Sequence, residues 1–191
     1  PSYDDVSAHR TGHVEAVRWG PLVVGDLDDR IRLTEAFAQW RPVAVLHFAS
    51  YIEVGESVRD PLRFYRNNVA GAVALVQETL NAGVRNIVLS SSAAVYGESR
   101  QSPIPEDHPR SPISPYGRSK LMVEEILQDA AQAHAAKTAV LRYFNAAGAD
   151  PEGELGENHG PETHLIPLAI QAALGGRDEL TVFGTDYPTP D

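Results

Sequence analysis

Continuous apolar runs, separated by helical patterns, constrain most strongly how this sequence can fold. Residues 43–49, 87–89 and 138–144 are segments of strand length without a regular polar alternation. Residues 22–24 form a shorter segment of the same kind. Such strands are typical of parallel sheets whose faces are both covered by helices.

Helical patterns lie between these strands. Residues 28–40, 61–82 and 115–134 each carry apolar side chains near helical spacing. Ser114 can cap the third helix, and Pro115 suits its first turn. The resulting order β-α-β-α-β-α-β predicts an α/β protein with a doubly wound parallel sheet of Rossmann type.

The character of the sequence changes after Asn145. Residues 146–163 contain four glycines and two prolines, which predict a long loop. A helix over 165–174 and a short strand over 180–183 are expected to follow. We therefore predict one domain over 1–145 and, over 146–191, the start of a smaller lobe.

Composition and charge exclude several classes of protein. The formal net charge is −10 and no cluster of Lys and Arg offsets it, so a nucleic-acid partner is not expected. The chain has no cysteine, which rules out disulfides and fits a cytoplasmic protein. Its apolar runs are too short for a membrane span, so no membrane partner is expected. The arrangement of residues around His159 and His164 in the sequence does not indicate a metal site.

A proton-transfer site is predicted where the run 87–89 ends. Ser92 closes a row of three serines, and Tyr116 and Lys120 follow, four residues apart, at the start of a helix. That spacing is close to one helical turn, so the two side chains share a face. An ammonium beside a phenol lowers the phenol pKa from about 10, which gives a general base usable at neutral pH. Ser92 could pass the proton on.

The alternative is that Tyr116 packs in the core and Lys120 is solvated. The pattern Tyr-x-x-x-Lys by itself occurs by chance in many proteins. Here it follows a strand that ends in serines, and it opens a capped helix. This combination favours the catalytic interpretation.

Further polar residues follow predicted strand ends, where open α/β sheets bind ligands. Asp4 could bind the adenosine ribose of NAD and disfavour NADP, although Asp4 and Asp5 could equally be solvated turn residues. Asp26 could accept a hydrogen bond from adenine or cap the helix that begins at Asp28. For these stretches alone, the structural alternatives are favoured.

Five more residues leave both interpretations open. A strand histidine such as His47 is more often a core residue than a catalyst. Asn67 and Asn68 lie inside a helical pattern, where asparagine is unfavourable, so a side-chain role and a packing role are about equally supported. Phe144 could pack on a nicotinamide ring and Asn145 could bind a substrate phosphate or hydroxyl, or both could simply end a strand.

Taken together, several segments resemble the UDP-glucose 4-epimerases of the extended short-chain dehydrogenase/reductase family. Most are shared with sugar-nucleotide dehydratases and epimerases at large, whereas residues 54–57 and 183–189 point to the 4-epimerases. The segments are His47-Phe48-Ala49, Val54-Gly55-Glu56-Ser57, Asn67-Asn68-Val69, and residues 90–97, 114–120, 141–145 and 183–189.

The resemblance implies an isomerase of galactose metabolism that interconverts UDP-galactose and UDP-glucose with bound NAD. Tyr116, as a phenolate, would remove the proton of the sugar 4-hydroxyl, directly or through Ser92. NAD would take the C4 hydride and return it to the opposite face of a transient 4-keto sugar. Lys120 would lower the phenol pKa and bind the nicotinamide ribose. Residues 1–145 would form the NAD-binding domain and 146–191 the beginning of the UDP-sugar-binding lobe.

Residue by residue, the same resemblance implies two sets of ligand contacts. The NAD site would be lined by Asp4, Asp5, Asp26, Leu27, Phe48, Ala49, Ser50, Asn67, Lys120 and Phe144. The UDP-sugar would contact Ser92, Tyr116, Asn145, His164, Leu165, Thr181, Val182 and Phe183. The homodimer typical of the family would pair the helices that begin at Pro61 and Pro115.

Other functions remain open. The substrate could be another UDP-sugar, such as UDP-xylose, UDP-arabinose or UDP-glucuronate. A sugar-nucleotide dehydratase is disfavoured because Ala93 and Ala94, not acidic residues, follow the serines. A non-catalytic protein that retains the fold is the alternative of another class.

Members of the family that this sequence resembles begin with a strand and a Gly-x-x-Gly-x-x-Gly loop that binds the cofactor pyrophosphate. These 191 residues contain no such loop, so we expect the first βα unit to be missing and the sequence to be an excerpt of a longer protein. Mass spectrometry of the intact gene product is therefore expected to give a mass above 20.7 kDa. A mass of 20.7 kDa would contradict this expectation.

Overall fold

The computed structural model describes residues 1–6, 17–99, 101–156, 162–182 and 184. The chain divides into two compact units, Pro1–Ala146 and Ala147–Asp191. The boundary between them lies one residue from the boundary expected from the sequence. The roles expected for the two parts, NAD binding and sugar binding, stay predictions.

Within the described part of the first unit, five strands form two parallel sheets. β1 (Ser2–Asp4) pairs with β2 (Leu22–Val24). β4 (Asn86–Ser92) lies between β3 (Val45–His47) and β5 (Lys137–Tyr143). The parallel arrangement expected from the continuous apolar runs is thus confirmed, and each run contributes a strand.

The helices connect the strands in the predicted order. None in the described ranges is long and apolar enough to cross a membrane. In chain order they are α1 (Arg30–Trp40), α2 (Val54–Arg59), α3 (Pro61–Phe64), a π-helical turn (Tyr65–Ala70), α4 (Gly71–Asn81), a 3-10 turn (Ala93–Val95), α5 (Pro115–His134) and, in the second unit, α6 (Leu165–Ala173).

Two helices in the first unit differ from the sequence expectation. α1 begins at Arg30 because the Asp29 carboxylate accepts a hydrogen bond from the Arg32 backbone N–H at 3.0 Å and caps the helix. The expectation that Asp26 caps this helix is therefore wrong. The predicted helix over 61–82 is interrupted by the π-helical turn, which carries Asn67 and Asn68.

In the second unit, α6 confirms the helix expected near residues 165–174. The strand expected over 180–183 is not formed at its described residues 180–182. Short apolar stretches become strands only when a neighbouring strand supplies backbone partners, and these three residues pair with none of the described strands.

Three helices cover one face of the strands. α4 lies between two apolar clusters, one shared with β4 and α5 and one shared with α1. The first cluster contains Ala72, Val76, Leu80, Ile87, Leu89, Val123 and Leu127. The second contains Leu33, Phe37, Leu75 and Val84, with Tyr3, Leu27 and Val45 packed against it.

The opposite face of the strands is more open than the sequence suggests. Leu46 of β3 is 61% exposed and Leu141 of β5 is 40% exposed. Both alternate with residues that face the helices, because successive side chains of a strand point to opposite sides. The expectation that both faces are covered is therefore not met among the described residues of this unit.

Neighbouring residues of α1 provide a test of this packing. Leu33 is 2% exposed in the second cluster, whereas Ile31 is 76% exposed. Leu33→Ala is expected to lower the free energy of unfolding by about 2–5 kcal/mol, because it removes buried methyl groups and leaves a cavity. Ile31→Ala should change it by less than about 0.5 kcal/mol. Urea denaturation of both variants measures the difference, and equal losses would contradict the described core.

Candidate active site

Residues from three strands meet at one edge of the larger sheet. In the parallel register His47 lies opposite Leu89, and Ser92 lies opposite Tyr143. Ser50, three residues beyond His47, is therefore level with the end of β4. This arrangement brings the segment after β3 close to the serine row, at the edge where open α/β sheets bind ligands.

The start of α5 faces this edge. The Ser114 hydroxyl accepts a hydrogen bond from the Gly117 backbone N–H at 3.1 Å, and Pro115 occupies the first turn. The predicted cap and helix start are thus confirmed. Tyr116 and Lys120 are both buried, on the side of the helix that faces the strands.

Lys120 contacts both neighbouring strand ends. Its ammonium donates hydrogen bonds to the Ser50 hydroxyl at 2.5 Å and to the Ser90 carbonyl at 2.9 Å. Burial lowers the pKa of this lysine from 10.5 to about 8. Lys120 is therefore a buried cation at neutral pH, and its ammonium interacts with groups at the sheet edge rather than with solvent.

Tyr116 differs electrostatically from the sequence expectation. Burial raises the pKa of its phenol, and a hydrogen-bond contact with Ser92 opposes the increase without cancelling it. The Lys120 ammonium lies 5.8 Å from the centre of the phenol ring. The expected depression of the Tyr116 pKa by Lys120 is therefore not found in the chain alone. Its contact with Ser92, which a proton relay needs, is present.

Gly117 explains how Ser92 comes so close to the helix. The Ser92 hydroxyl accepts a hydrogen bond from the Ala94 backbone N–H and begins the 3-10 turn that leaves β4. A Cβ atom at position 117 would lie 2.6 Å from the Ala94 carbonyl oxygen, well inside van der Waals contact. Only glycine lets the turn after Ser92 lie against the first turn of α5. No local signal in the sequence indicated this role of Gly117.

Asn68, for which the sequence left a side-chain role and a packing role open, has a defined set of partners in the structure. Its buried amide oxygen accepts hydrogen bonds from the Tyr51 backbone N–H at 2.8 Å and from the Asn67 side chain at 2.9 Å. Its amide nitrogen donates to the Tyr51 carbonyl and to the Ser119 hydroxyl, both at 3.1 Å. All four hydrogen-bonding positions of the amide are used. Asn68 thus joins the segment beside Ser50 to the helix that carries Lys120.

A cleft of about 470 Å³ lies beside the segment after β3. Asp26 and Asn67, both expected to bind NAD, line it together. The guanidinium groups of Arg63 and Arg66 suit phosphate oxygens. Arginines on a helix gave no signal of such a site in the sequence. The cleft is lined by Asp26, Asp28, Tyr51, Asp60, Leu62, Arg63, Arg66 and Asn67.

The other expected NAD residues of the first unit have different surroundings. Asp4 ends β1, as expected, and its carboxylate accepts a hydrogen bond from the Val6 backbone N–H at 2.9 Å. Leu27 is partly buried and packs against the α1–α4 cluster, and its contact with NAD stays a prediction. Phe48 and Phe144 expose large rings just after β3 and β5. The remaining positions, Asp5 and Ala49, also follow strand ends.

The expected sugar-binding residues divide between the two units. Asn145 follows β5 in the first unit and is exposed. In the second unit His164 precedes α6 and contacts the Glu162 carboxylate at 3.0 Å, while Leu165, Thr181 and Val182 are exposed. Phe183 and the segment 185–189 lie outside the described residues. The sugar-binding role of these residues stays a prediction.

Titratable side chains in the described ranges form no group of three or more that could bind a metal ion. Hydroxyl, ammonium and phenol groups converge instead at the edge of the larger sheet.

Comparison with known proteins agrees with this chemistry. Residues 3–189 match the model of the NAD dependent epimerase/dehydratase family. The chain belongs to this family. The protein is 54% identical to a UDP-glucose 4-epimerase from Rhizobium leguminosarum bv. trifolii over 180 residues, which are 94% of this chain and 55% of that protein. It therefore spans about half the length of the curated relatives it matches.

Solved structures show the same fold. UDP-glucose 4-epimerase from Brucella ovis in complex with NAD superposes with a TM-score of 0.93 and 51% identity, over 99% of this chain and 57% of that one. The enzyme from Stenotrophomonas maltophila, with bound NAD and formylated UDP-arabinopyranose, gives a TM-score of 0.90 and 38% identity, over 99% and 58% of the two chains. The α/β fold of Rossmann type expected from the sequence is thus confirmed.

His47 provides a test of the electrostatics at the sheet edge. Burial and, to a smaller extent, the positive charge of Lys120 together lower the pKa of this histidine from 6.5 to about 4. Lys120→Met is therefore expected to raise the His47 pKa. NMR titration of the histidine ring, assigned with His47→Gln, measures the shift. An unchanged or lower pKa would contradict the proximity of the two groups.

The same shift makes stability depend on pH. The folded protein binds fewer protons at His47 than the unfolded chain between pH 4 and 6.5. The stabilisation is complete above pH 6.5 and falls toward pH 4, by up to about 3 kcal/mol. His47→Gln should remove this part of the pH dependence in denaturation experiments.

Proposed function

We propose that the protein is a UDP-hexose 4-epimerase that interconverts UDP-galactose and UDP-glucose with bound NAD. The observation that carries the proposal is the convergence of Ser92, Tyr116 and Lys120 at a sheet edge in a chain of the NAD dependent epimerase/dehydratase family. The printed names of its similar relatives, which are UDP-glucose 4-epimerases, support the same activity.

The residues of the first unit fit a dinucleotide. The cleft that contains Asp26 and Asn67 offers an acceptor for adenine or ribose groups and two arginines for phosphate oxygens. At the other end, the Lys120 ammonium has three donors, and Ser50 and Ser90 accept two of them. One donor is left for a ligand hydroxyl, such as that of a ribose.

When bound, oxidised NAD would supply a hydride acceptor at the sugar C4 and a positively charged ring that favours an ionised phenol nearby. The chain itself would move the proton. Tyr116 would accept the proton of the sugar 4-hydroxyl, directly or through Ser92, and return it after the configuration at C4 has changed. Because the phenol is buried and its pKa is raised, the proton would stay in the site during the reaction.

The identity of the sugar rests on weaker support. Asn145, His164, Leu165, Thr181, Val182 and Phe183 are proposed to contact the UDP-sugar. One similar structure binds formylated UDP-arabinopyranose, so a pentose nucleotide is the second substrate to test. UDP-glucuronate is a third. The absence of acidic residues directly after Ser92 disfavours dehydration.

A homodimer and a cytoplasmic location complete the proposal. The helices that begin at Pro61 and Pro115 contact each other within the chain, and apolar side chains such as Val73 and Met122 are exposed on this helical layer. An interface there would cover them. Sedimentation equilibrium tests the dimer, and a monomer at micromolar concentration would contradict it. The location rests only on the cysteine-free composition.

Activity is tested by incubating the complete gene product with NAD and UDP-galactose. Formation of UDP-glucose is expected, and no conversion of any of the three UDP-sugars would contradict the proposed function. Tyr116→Phe should lower kcat by about a hundredfold or more, because it removes the general base. Tyr65→Phe removes a phenol hydroxyl from the π-helical turn and serves as the matched control. Equal activities of the two variants would contradict the role of Tyr116.

A further inference from the structure

A buried carboxylate lies one turn beyond Lys120 on the same face of α5. Glu124 is 4% exposed, yet it receives four hydrogen bonds. The Arg142 guanidinium donates to both of its oxygens, from Nε at 3.0 Å and from Nη2 at 2.8 Å. The Ser91 hydroxyl donates at 2.5 Å and Arg110 Nη1 at 3.3 Å. A buried carboxylate with two cationic partners is expensive to desolvate and strongly constrains the elements that it joins.

The partners of Glu124 come from β4, from β5 and from the segment before α5. Ser91 lies in β4, between Ser90 and Ser92. Arg142 lies in β5, and it also donates to the Tyr96 hydroxyl at 2.8 Å and to the Glu106 carbonyl at 3.0 Å. Arg110 belongs to the segment that leads into α5. Glu124 therefore joins α5 to β4, to β5 and to the segment that connects β4 with α5.

β4 and α5 contact each other in an antiparallel direction. The apolar residues 87 and 89 share a cluster with 123 and 127. Nearer the end of the strand, Ser91 contacts Glu124, the Ser90 carbonyl contacts Lys120, and Ser92 contacts Tyr116. A sliding or rotation of α5 would disturb all three polar contacts together. Of the three contacting residues on α5, Glu124 is the one that also forms a bidentate ion pair, with Arg142.

We propose that Glu124 is a positioning residue, which sets the rotation and height of α5 on β4 and thereby the places of Tyr116 and Lys120. Glu124 contacts no group that reacts in the proposed function, so it acts through the helix. The donors from Arg142 and Ser91 outweigh the effect of burial and keep the pKa of Glu124 below its ordinary value. The carboxylate is thus charged at neutral pH, as the pairing requires. As a statement about catalysis, this inference rests on the proposed function.

The test compares two buried glutamates that are paired with arginine. Glu78, on α4, is 7% exposed and accepts hydrogen bonds from Arg30, and its contacts lie between α1 and α4. Glu124→Gln and Glu78→Gln each keep the shape of the side chain and remove the charge. Both variants are made in the complete gene product, and folding is verified before each measurement.

Two readouts separate a positioning role from a merely structural one. In Glu124→Gln, kcat is expected to fall by about tenfold to a hundredfold while KM changes by less than about threefold, because misplaced catalytic groups slow the reaction more than they weaken binding. The second readout needs neither substrate nor cofactor. NMR titration of labelled lysine should show the Lys120 pKa rising from about 8 toward 10.5 as the helix loosens. Glu78→Gln should change neither quantity.

The possible outcomes are distinct. A folded Glu124→Gln variant with unchanged kcat and unchanged Lys120 pKa would overturn the proposal, and so would equal effects in Glu78→Gln. If the unsubstituted protein epimerises no UDP-sugar, the proposed function fails, and the Lys120 titration alone then decides the positioning role.

A milder pair of variants decides the question if Glu124→Gln does not fold. Ser91→Ala removes only one donor to Glu124 and should change kcat and the Lys120 pKa in the same directions, by smaller amounts. Thr79→Val removes a buried hydroxyl from α4, where it donates to the Leu75 carbonyl, and is the matched control. Equal results for these two variants would overturn the proposal.

Discussion

The antiparallel contact of α5 with β4 is the constraint on which the candidate active site depends. Apolar residues hold the two elements together over one half of their contact, and polar groups continue the same register to the end of the strand. A strand rises about 3.3 Å per residue and a helix about 1.5 Å. The three serines therefore span about 7 Å of strand, whereas Tyr116 to Glu124 spans about 12 Å of helix, so the long side chains on α5 must bridge the difference.

Burial at this contact has opposite consequences for the two groups expected to move the proton. It disfavours the charged form of each group, so it lowers the pKa of Lys120 and raises that of Tyr116. With a pKa of about 8, the lysine is still charged at neutral pH, whereas the raised pKa of the phenol keeps the phenol protonated. Without a ligand, the site thus contains a charged Lys120 ammonium and a protonated Tyr116 phenol. Chemistry that needs a phenolate must bring in a further positive charge.

Sequence alone predicted the elements and singled out Ser92, Tyr116 and Lys120, which lie together in the structure, because their signals are local. The serine cap at position 114, the spacing of Tyr116 and Lys120, and the apolar strand before Ser92 are each visible in a short stretch. The partners of Asn68 and the roles of Gly117 and Glu124 were not visible, because each depends on a residue that is distant in the chain. The effect of Lys120 on the Tyr116 phenol was misjudged for a related reason. Helical spacing fixes the shared face but not the distance between the tips of two long side chains.

The buried polar residues show why the site can be both specific and stable. An unsatisfied buried polar group costs about 1–3 kcal/mol, so each such group favours the one arrangement in which its partners are present. Asn68 has partners beside Ser50 and on α5, and Glu124 has partners on both strands. Apolar packing tolerates small displacements, but these hydrogen bonds do not. The same groups that make the helix costly to misplace therefore fix the geometry of the atoms that would transfer the proton.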